Sequence, residues 1–222
     1  MMTEFSDARR NMVLGQIRTF KISDLDLLNK VLEIPRELFI PEDKKHMSYV
    51  DKHIKLNDKR YILSTPVLCR MLELADISKN DSVLEIGCAT GYSTALVSKL
   101  ANKVIAIEAD HTLASKANHT IHSLGIENSI IVSGNFADGH PEGKPYDIML
   151  INGVVEYIPD YLVGQLREGG IVVSIQKRDH PVGEIIVGRN YDNKLHVISH
   201  DDVIIAGLPA MIEQDEEQKF IL

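Results

Sequence analysis

Val83-Leu84-Glu85-Ile86-Gly87-Cys88-Ala89-Thr90-Gly91-Tyr92 decides the fold of this chain. An apolar run over residues 82–86 ends beside an acid and then two glycines four apart. A helical pattern follows at once, with Tyr92, Ala95, Leu96, Lys99 and Leu100 recurring at spacings of three and four. Strand, glycine turn and helix form the first unit of a nucleotide-binding α/β sheet, whose turn lies at the carboxyl end of the strand. Gly87 lets the backbone pass under a ligand without a Cβ clash, and Gly91 lets the helix pack closely. The spacing is Glu-x-Gly-x-x-x-Gly, which differs from the Gly-x-Gly-x-x-Gly of dinucleotide folds.

Outward from this turn the pattern alternates. Strands are predicted at 82–86, 103–108, 129–133, 148–151 and 171–175, with helices over 91–101, 110–124 and from about Pro159 to Gly169-Gly170. Helical crossovers between apolar strands predict a mainly parallel sheet covered on both faces. Residues 184–189 and 194–199, separated by Tyr191-Asp192-Asn193, read as a late antiparallel hairpin. Upstream, residues 6–20 are predicted helical, with Met12, Val13, Ile17 and Phe20 on one face, and Ser23 or Asp24 caps a helix that Pro35 ends. Residues 36–63 read as loop with short elements. Ser64-Thr65-Pro66 then starts a helix whose buried stripe is Val67, Leu68, Met71, Leu72 and Ala75. We expect a single domain over 1–222, with 1–80 as helical cap and substrate-side segment and 81–222 as α/β core.

Composition narrows the partners. The 222 residues are 44 % hydrophobic and carry a net charge of -8, so no broad attraction to nucleic acid or anionic membrane is expected. No apolar run approaches the roughly 20 residues of a membrane span. The start, Met1-Met2-Thr3-Glu4-Phe5-Ser6-Asp7, lacks the marks of a signal peptide, and Cys69 and Cys88 do not suggest a disulfide framework. A cytoplasmic location is expected. The acidic stretch 213–218 reads as solvated surface, and the sequence gives no oligomeric state.

Several side chains are candidates for chemistry. Glu108 ends the second strand, where an acid accepts both hydroxyls of a ribose or interacts with the dipole of the following helix. Asn135 and Phe136 follow strand three, in a position to meet a base or to form an ordinary Gly-Asn turn. Cys88 reads as a small buried filler. His119 and His122 lack a third ligand, so no metal is expected, and Asp179-His180 lacks a nucleophile.

The Glu85–Gly91 turn, with Glu108 and Asn135, resembles the class I methyltransferases that use S-adenosylmethionine. More specifically, the chain resembles the protein-L-isoaspartate O-methyltransferase family over nearly its whole length. The resemblance rests on Arg10-Asn11-Met12-Val13 with Gln16-Ile17, on residues 31–41, and on Tyr49 with Asp51. It continues through Ser64-Thr65-Pro66, the turn, the loop 134–147, Ile158-Pro159, Gln165-Leu166 and Gly169-Gly170. It implies a Rossmann-like sheet, an N-terminal helical cap, and S-adenosyl-L-methionine held by Glu85, Gly87, Cys88, Gly91, Tyr92, Glu108, Ala109, Asn135 and Phe136. It also implies an isoaspartyl protein or peptide substrate whose carboxylate is positioned by Ser64; a plain helix cap is the other reading of that serine.

The chain departs from the family ahead of Ser64. Where the family has Gly-x-Gly-Gln-Thr-Ile-Ser, this chain has Asp58-Lys59-Arg60-Tyr61-Ile62-Leu63-Ser64. Arg60 and Tyr61 are expected to reshape the cleft. Glu156, if it faces the cleft, would repel a carboxylate that Lys59 or Arg60 could grip. The alternatives are a cofactor-binding homologue without isoaspartate repair, or a methyltransferase for another carboxylate.

Overall fold

The computed structural model describes residues 4–20, 22–178 and 181–213. The first helix, α1 (Glu4–Met12), runs into a π turn over Val13–Ile17 and a 3-10 turn over Arg18–Phe20. Met12, Val13 and Ile17 are buried as expected, whereas Phe20 is exposed. The Asp24 carboxylate accepts the amides of Asp26 and Leu27, capping α2 (Leu25–Glu33). Two 3-10 turns, Arg36–Phe39 and Glu42–Met47, lead to an antiparallel pair, β1 (Ile54–Lys55) and β2 (Tyr61–Ile62). Helix α3 (Thr65–Ala75) begins after Ser64 and buries Val67, Leu68, Met71, Leu72 and Ala75.

The core then follows as β3 (Ser82–Ile86), α4 (Tyr92–Leu100), β4 (Lys103–Glu108), α5 (His111–Ser123), β5 (Ser129–Ser133), β6 (Tyr146–Val155) and α6 (Asp160–Val163). It closes with β7 (Leu166–Lys177), β8 (Val182–Tyr191), β9 (Lys194–Ile204) and β10 (Ala210–Ile212). The sheet order is β5-β4-β3-β6-β7-β8-β9; β5 through β7 are parallel, and β8 and β9 are antiparallel additions. This is the Rossmann-like methyltransferase arrangement with its C-terminal hairpin. Asp192 and Asn193, both at positive φ, form the two-residue hairpin turn whose twist suits the flanking strands.

Apolar side chains of the cap, among them Met12, Ile17, Leu27 and Val31, join Val83, Val104 and Ile148 of the sheet in one continuous cluster. Strands β3 and β4 are buried on both faces, as expected where helices cover a parallel sheet. The strand order reverses at β3, whose neighbours are β4 and β6, so a crevice opens at the carboxyl ends of β3, β4 and β6.

Three expectations need correction. The helix from Pro159 stops at Val163 instead of reaching Gly169-Gly170, because β7 has already begun at Leu166. Gly169, at φ +70, and Gly170 form a bulge where the β6–β7 register jumps from Tyr146↔Leu166 to Ile148↔Ile171. The strand expected at 148–151 extends over Tyr146–Val155. A strand that was not expected, β10, pairs in parallel with the end of β6 through Ala210↔Val154 and Ile212↔Val155. Asp179-His180 and residues 214–218 of the acidic stretch lie outside the described residues. No described helix is long and apolar enough to cross a membrane.

Gly91 sits at φ +94, and a Cβ there would stand 3.2 Å from Ala117 Cβ on α5. Strain and crowding therefore act together, and Gly91→Ala should cost at least about 1 kcal/mol in urea unfolding. An unchanged unfolding midpoint would mean that α4 and α5 can separate freely.

Candidate active site

The floor of the crevice is the β3–α4 turn. Gly87, Ala89 and Gly91 all have positive φ, and the amides of Gly87 and Cys88 donate to the Ile107 carbonyl at 2.8 and 3.1 Å. Beneath the turn Glu85 is fully buried. Its carboxylate accepts from the Ser93 hydroxyl, from Thr94 Oγ1 at 2.6 Å and from Asn152 Nδ2 at 3.3 Å. Burial pushes this carboxyl above the usual range, while the three donors pull it back. These bonds direct Glu85 into the fold, where it pins the turn to α4 and β6. Asn152 Nδ2 also donates to Ser93 Oγ at 2.5 Å, and its buried Oδ1 has no partner. Cys88 is buried, and burial raises its thiol well above the ordinary value, as suits a space-filling residue. The Tyr92 ring packs edge-on to Phe39 at 5.6 Å and beneath the Arg36 guanidinium at 4.5 Å, so its side chain is spent on the cap.

Glu108, at the end of β4, is fully buried, and both carboxylate oxygens are taken. Arg60 donates from Nε to Oε1 at 2.9 Å and from Nη2 to Oε2 at 2.8 Å. The amides of Asp110 and Ala89 add bonds to Oε1 at 3.1 Å and Oε2 at 2.7 Å. A two-pronged, charge-assisted contact of this kind is among the strongest that side chains make. The Arg60 guanidinium also lies 4.8 Å from the centre of the Phe136 ring. The loop that carries it is itself fastened: Asn57 Oδ1 accepts the amides of Lys59 and Arg60, while Asn57 Nδ2 donates to Asp110 Oδ2 at 2.9 Å.

Met211, on β10, completes the closure. A Cβ placed on Gly87 would collide with Met211 Cε and approach Arg60 Nη2 at 3.0 Å, and one placed on Gly153 would collide with Met211 Sδ. The backbone and the acid thus have the form of a nucleoside cradle, but its interior is filled by the chain's own side chains. A cleft of about 790 Å³ adjoins it, and Arg60 and Met211 line that cleft together with Asn57, Asp58, Lys59, Ala109, Asp110, Phe136 and Glu213.

On the acceptor side, Ser64 is buried at the start of α3, and its hydroxyl makes no capping bond. Its amide donates to His53 Nδ1 at 3.0 Å. His53 Nε2 lies 3.0 Å from the Ile204 carbonyl, which fixes the proton on Nε2. Burial lowers the pKa of this imidazole. Arg36, fully buried behind the site, donates to the carbonyls of Ser48 and Leu63 at 2.9 and 2.8 Å. Glu156 is paired with Lys177 Nζ at 2.6 Å, so its charge is met on the sheet.

The remaining candidates are more peripheral. Asn135 is exposed, with Oδ1 accepting the Ala137 amide at 3.3 Å, and Ala109 is exposed on the cleft wall. His119 and His122 are exposed, and among the described residues no group of three or more His, Cys, Asp or Glu could hold a metal. Sequence reasoning placed Arg60 near the cleft without finding its partner, and it missed His53, Asn152 and Met211. Arg60 standing where the family has glycine was the usable signal for a changed crevice; Met211 had none.

Removing one member of a buried pair leaves a buried charge unmet. Glu108→Ala should therefore lose about 3–5 kcal/mol of stability. The Arg60→Ala/Glu108→Ala double variant should recover much of that loss in a double-mutant cycle by urea unfolding. Additive losses would show that the two side chains do not meet.

Comparison with known proteins agrees with this architecture. A model of the protein-L-isoaspartate(D-aspartate) O-methyltransferase family matches residues 8–204. Protein-L-isoaspartate O-methyltransferase 1 of Syntrophobacter fumaroxidans is 33 % identical over 183 residues, 82 % of this chain and 83 % of its own. The protein-L-isoaspartate O-methyltransferase of Methanoregula boonei is 34 % identical over 168 residues, 76 % of this chain and 77 % of its own. A solved protein-L-isoaspartate O-methyltransferase superposes with a TM-score of 0.75 at 25 % identity, covering 88 % of this chain and 64 % of that longer one. Enzymes of this family use S-adenosylmethionine as methyl donor. The chain belongs to the protein-L-isoaspartate(D-aspartate) O-methyltransferase family.

Proposed function

We propose that the chain is an S-adenosylmethionine-dependent carboxyl O-methyltransferase acting on L-isoaspartyl residues of damaged proteins in the cytoplasm. The observation that carries this reading is the buried Glu108 carboxylate at the end of β4, beside the positive-φ turn Gly87–Gly91. In this proposal Glu108 accepts the ribose hydroxyls once Arg60 withdraws. Gly87, Cys88, Gly91 and Tyr92 contribute backbone, Ala109 and Asn135 meet the base from the rim, and Phe136 packs on its face. Glu85 acts one step back, by holding the turn. The donor supplies a methyl group on a sulfonium, which needs no activation by the protein.

The acceptor side calls for positioning more than for acid–base chemistry. A carboxylic acid with a pKa near 4 is already ionised at neutral pH, so no side chain has to remove a proton. The task is to hold one carboxylate oxygen in line with the methyl group at about 3 Å. Ser64 suits this task, because its hydroxyl is not spent on capping and it stands at the amino end of an 11-residue helix. The free amides and dipole of α3 favour a negative charge there. Lys177 neutralises Glu156, which removes the repulsion that a bare acid would exert on the substrate.

The test is methyl transfer to an isoaspartyl peptide set beside its aspartyl twin, with a labelled methyl donor. Label should enter the isoaspartyl peptide as a base-labile ester and leave the twin unmodified. Donor binding without label on either peptide would reject isoaspartate as the substrate. The filled cradle favours one alternative in that event, a homologue that has kept the fold without the repair reaction.

A further inference from the structure

We infer that Arg60 and Met211 form an exchangeable internal occupant of the nucleoside site, so that the closed chain and the methyl donor compete for the same cradle. This inference rests on the reading of that cradle as the donor site. The fork of Arg60 offers Nε and Nη2 to the two oxygens of Glu108, as the paired hydroxyls of a ribose would. Its flat guanidinium lies over Phe136. Met211 brings a thioether over Gly87 and Gly153, the positions whose missing Cβ atoms leave room at the turn. Together these side chains satisfy the polar and the apolar parts of the cradle.

The exchange requires two short segments to move. Arg60 belongs to the short loop between β1 and β2, whose hold on the core includes the Asn57–Asp110 bond and the contact with Glu108. Met211 belongs to a three-residue strand with an irregular register, joined to β9 by the stretch 205–209. This strap follows residue 204, where the match to the family model ends. One contact links the two sides: the His53 ring joins the Ser64 amide to the Ile204 carbonyl, where the strap begins.

Exchange conserves the interactions of Glu108. Ribose hydroxyls replace the two Arg60 donors, while the Ala89 and Asp110 amides stay in place. The released guanidinium swings further into the cleft that it already lines, towards Asp58, Asp110 and Glu213, where water and acids receive it. The apparent affinity for a nucleoside is then the intrinsic affinity reduced by the fraction of molecules with the cradle open.

The full chain is titrated calorimetrically with S-adenosylhomocysteine as wild type, Arg60→Gly and Met211→Ala, and each protein is first checked for an intact melting transition. Each variant should bind at least about fivefold more tightly than wild type, through the larger open fraction. In stopped-flow binding, the wild-type rate should level off at high ligand, and the variants should level off at a higher rate. Met211→Ala alters no charge, so it remains informative if Arg60→Gly does not fold. Affinities within twofold of wild type, weaker binding, or no binding by any of the proteins would each overturn the inference. Peptide methylation separates the two claims: tight-binding variants inactive on isoaspartyl peptide would reject the substrate and leave the occupant standing. An active wild type with unchanged variant affinities would do the reverse.

Discussion

A guanidinium laid against a buried carboxylate governs this molecule's crevice. Glu108 sits at the end of a fully covered strand, where an unmet charge is costly, and the chain meets it with Arg60 and two backbone amides. Much follows from that contact. It seats the loop between β1 and β2 on the rim of the sheet, helped by the Asn57–Asp110 bond. It sets a cation over Phe136 and, with Met211, takes up the space above Gly87. The interaction that orders the substrate-side segment is therefore also the one that closes the cradle.

The rest of the site is built to hold still. Glu85, Ser93, Thr94 and Asn152 form a buried polar knot that fixes the β3–α4 turn to β6, so the cradle's floor is rigid. The two side chains above it are carried by a short loop and a three-residue strand. A rigid floor with detachable cover suits an enzyme that must admit a donor and then exclude water.

The interior of the fold was largely legible in the sequence. Strands 82–86, 103–108 and 129–133 stand where they were expected, because each is a run of apolar residues bounded by glycine, aspartate or asparagine. The α6–β7 boundary was misread because Gly169-Gly170 has the form of a helix stop, whereas here the pair makes a bulge inside a strand. β10 was missed because Ala-Met-Ile is too short to carry a period. The pairing of Arg60 with Glu108 spans 48 positions and depends on how a loop folds back, which no local pattern records. Glu108 itself was found from its place after β4, and Ser64 from its place before α3. Their present partners, Arg60 and His53, come from the fold.

The most direct measurement is a pair of crystal structures of the wild-type chain, one without ligand and one with S-adenosylhomocysteine. Without ligand, Arg60 should lie bidentate on Glu108, with Met211 over Gly87. With ligand, the ribose should hold Glu108 while Arg60 and Met211 have moved out. A nucleoside bound with Arg60 still on Glu108, or a ligand-free cradle standing open, would contradict the account.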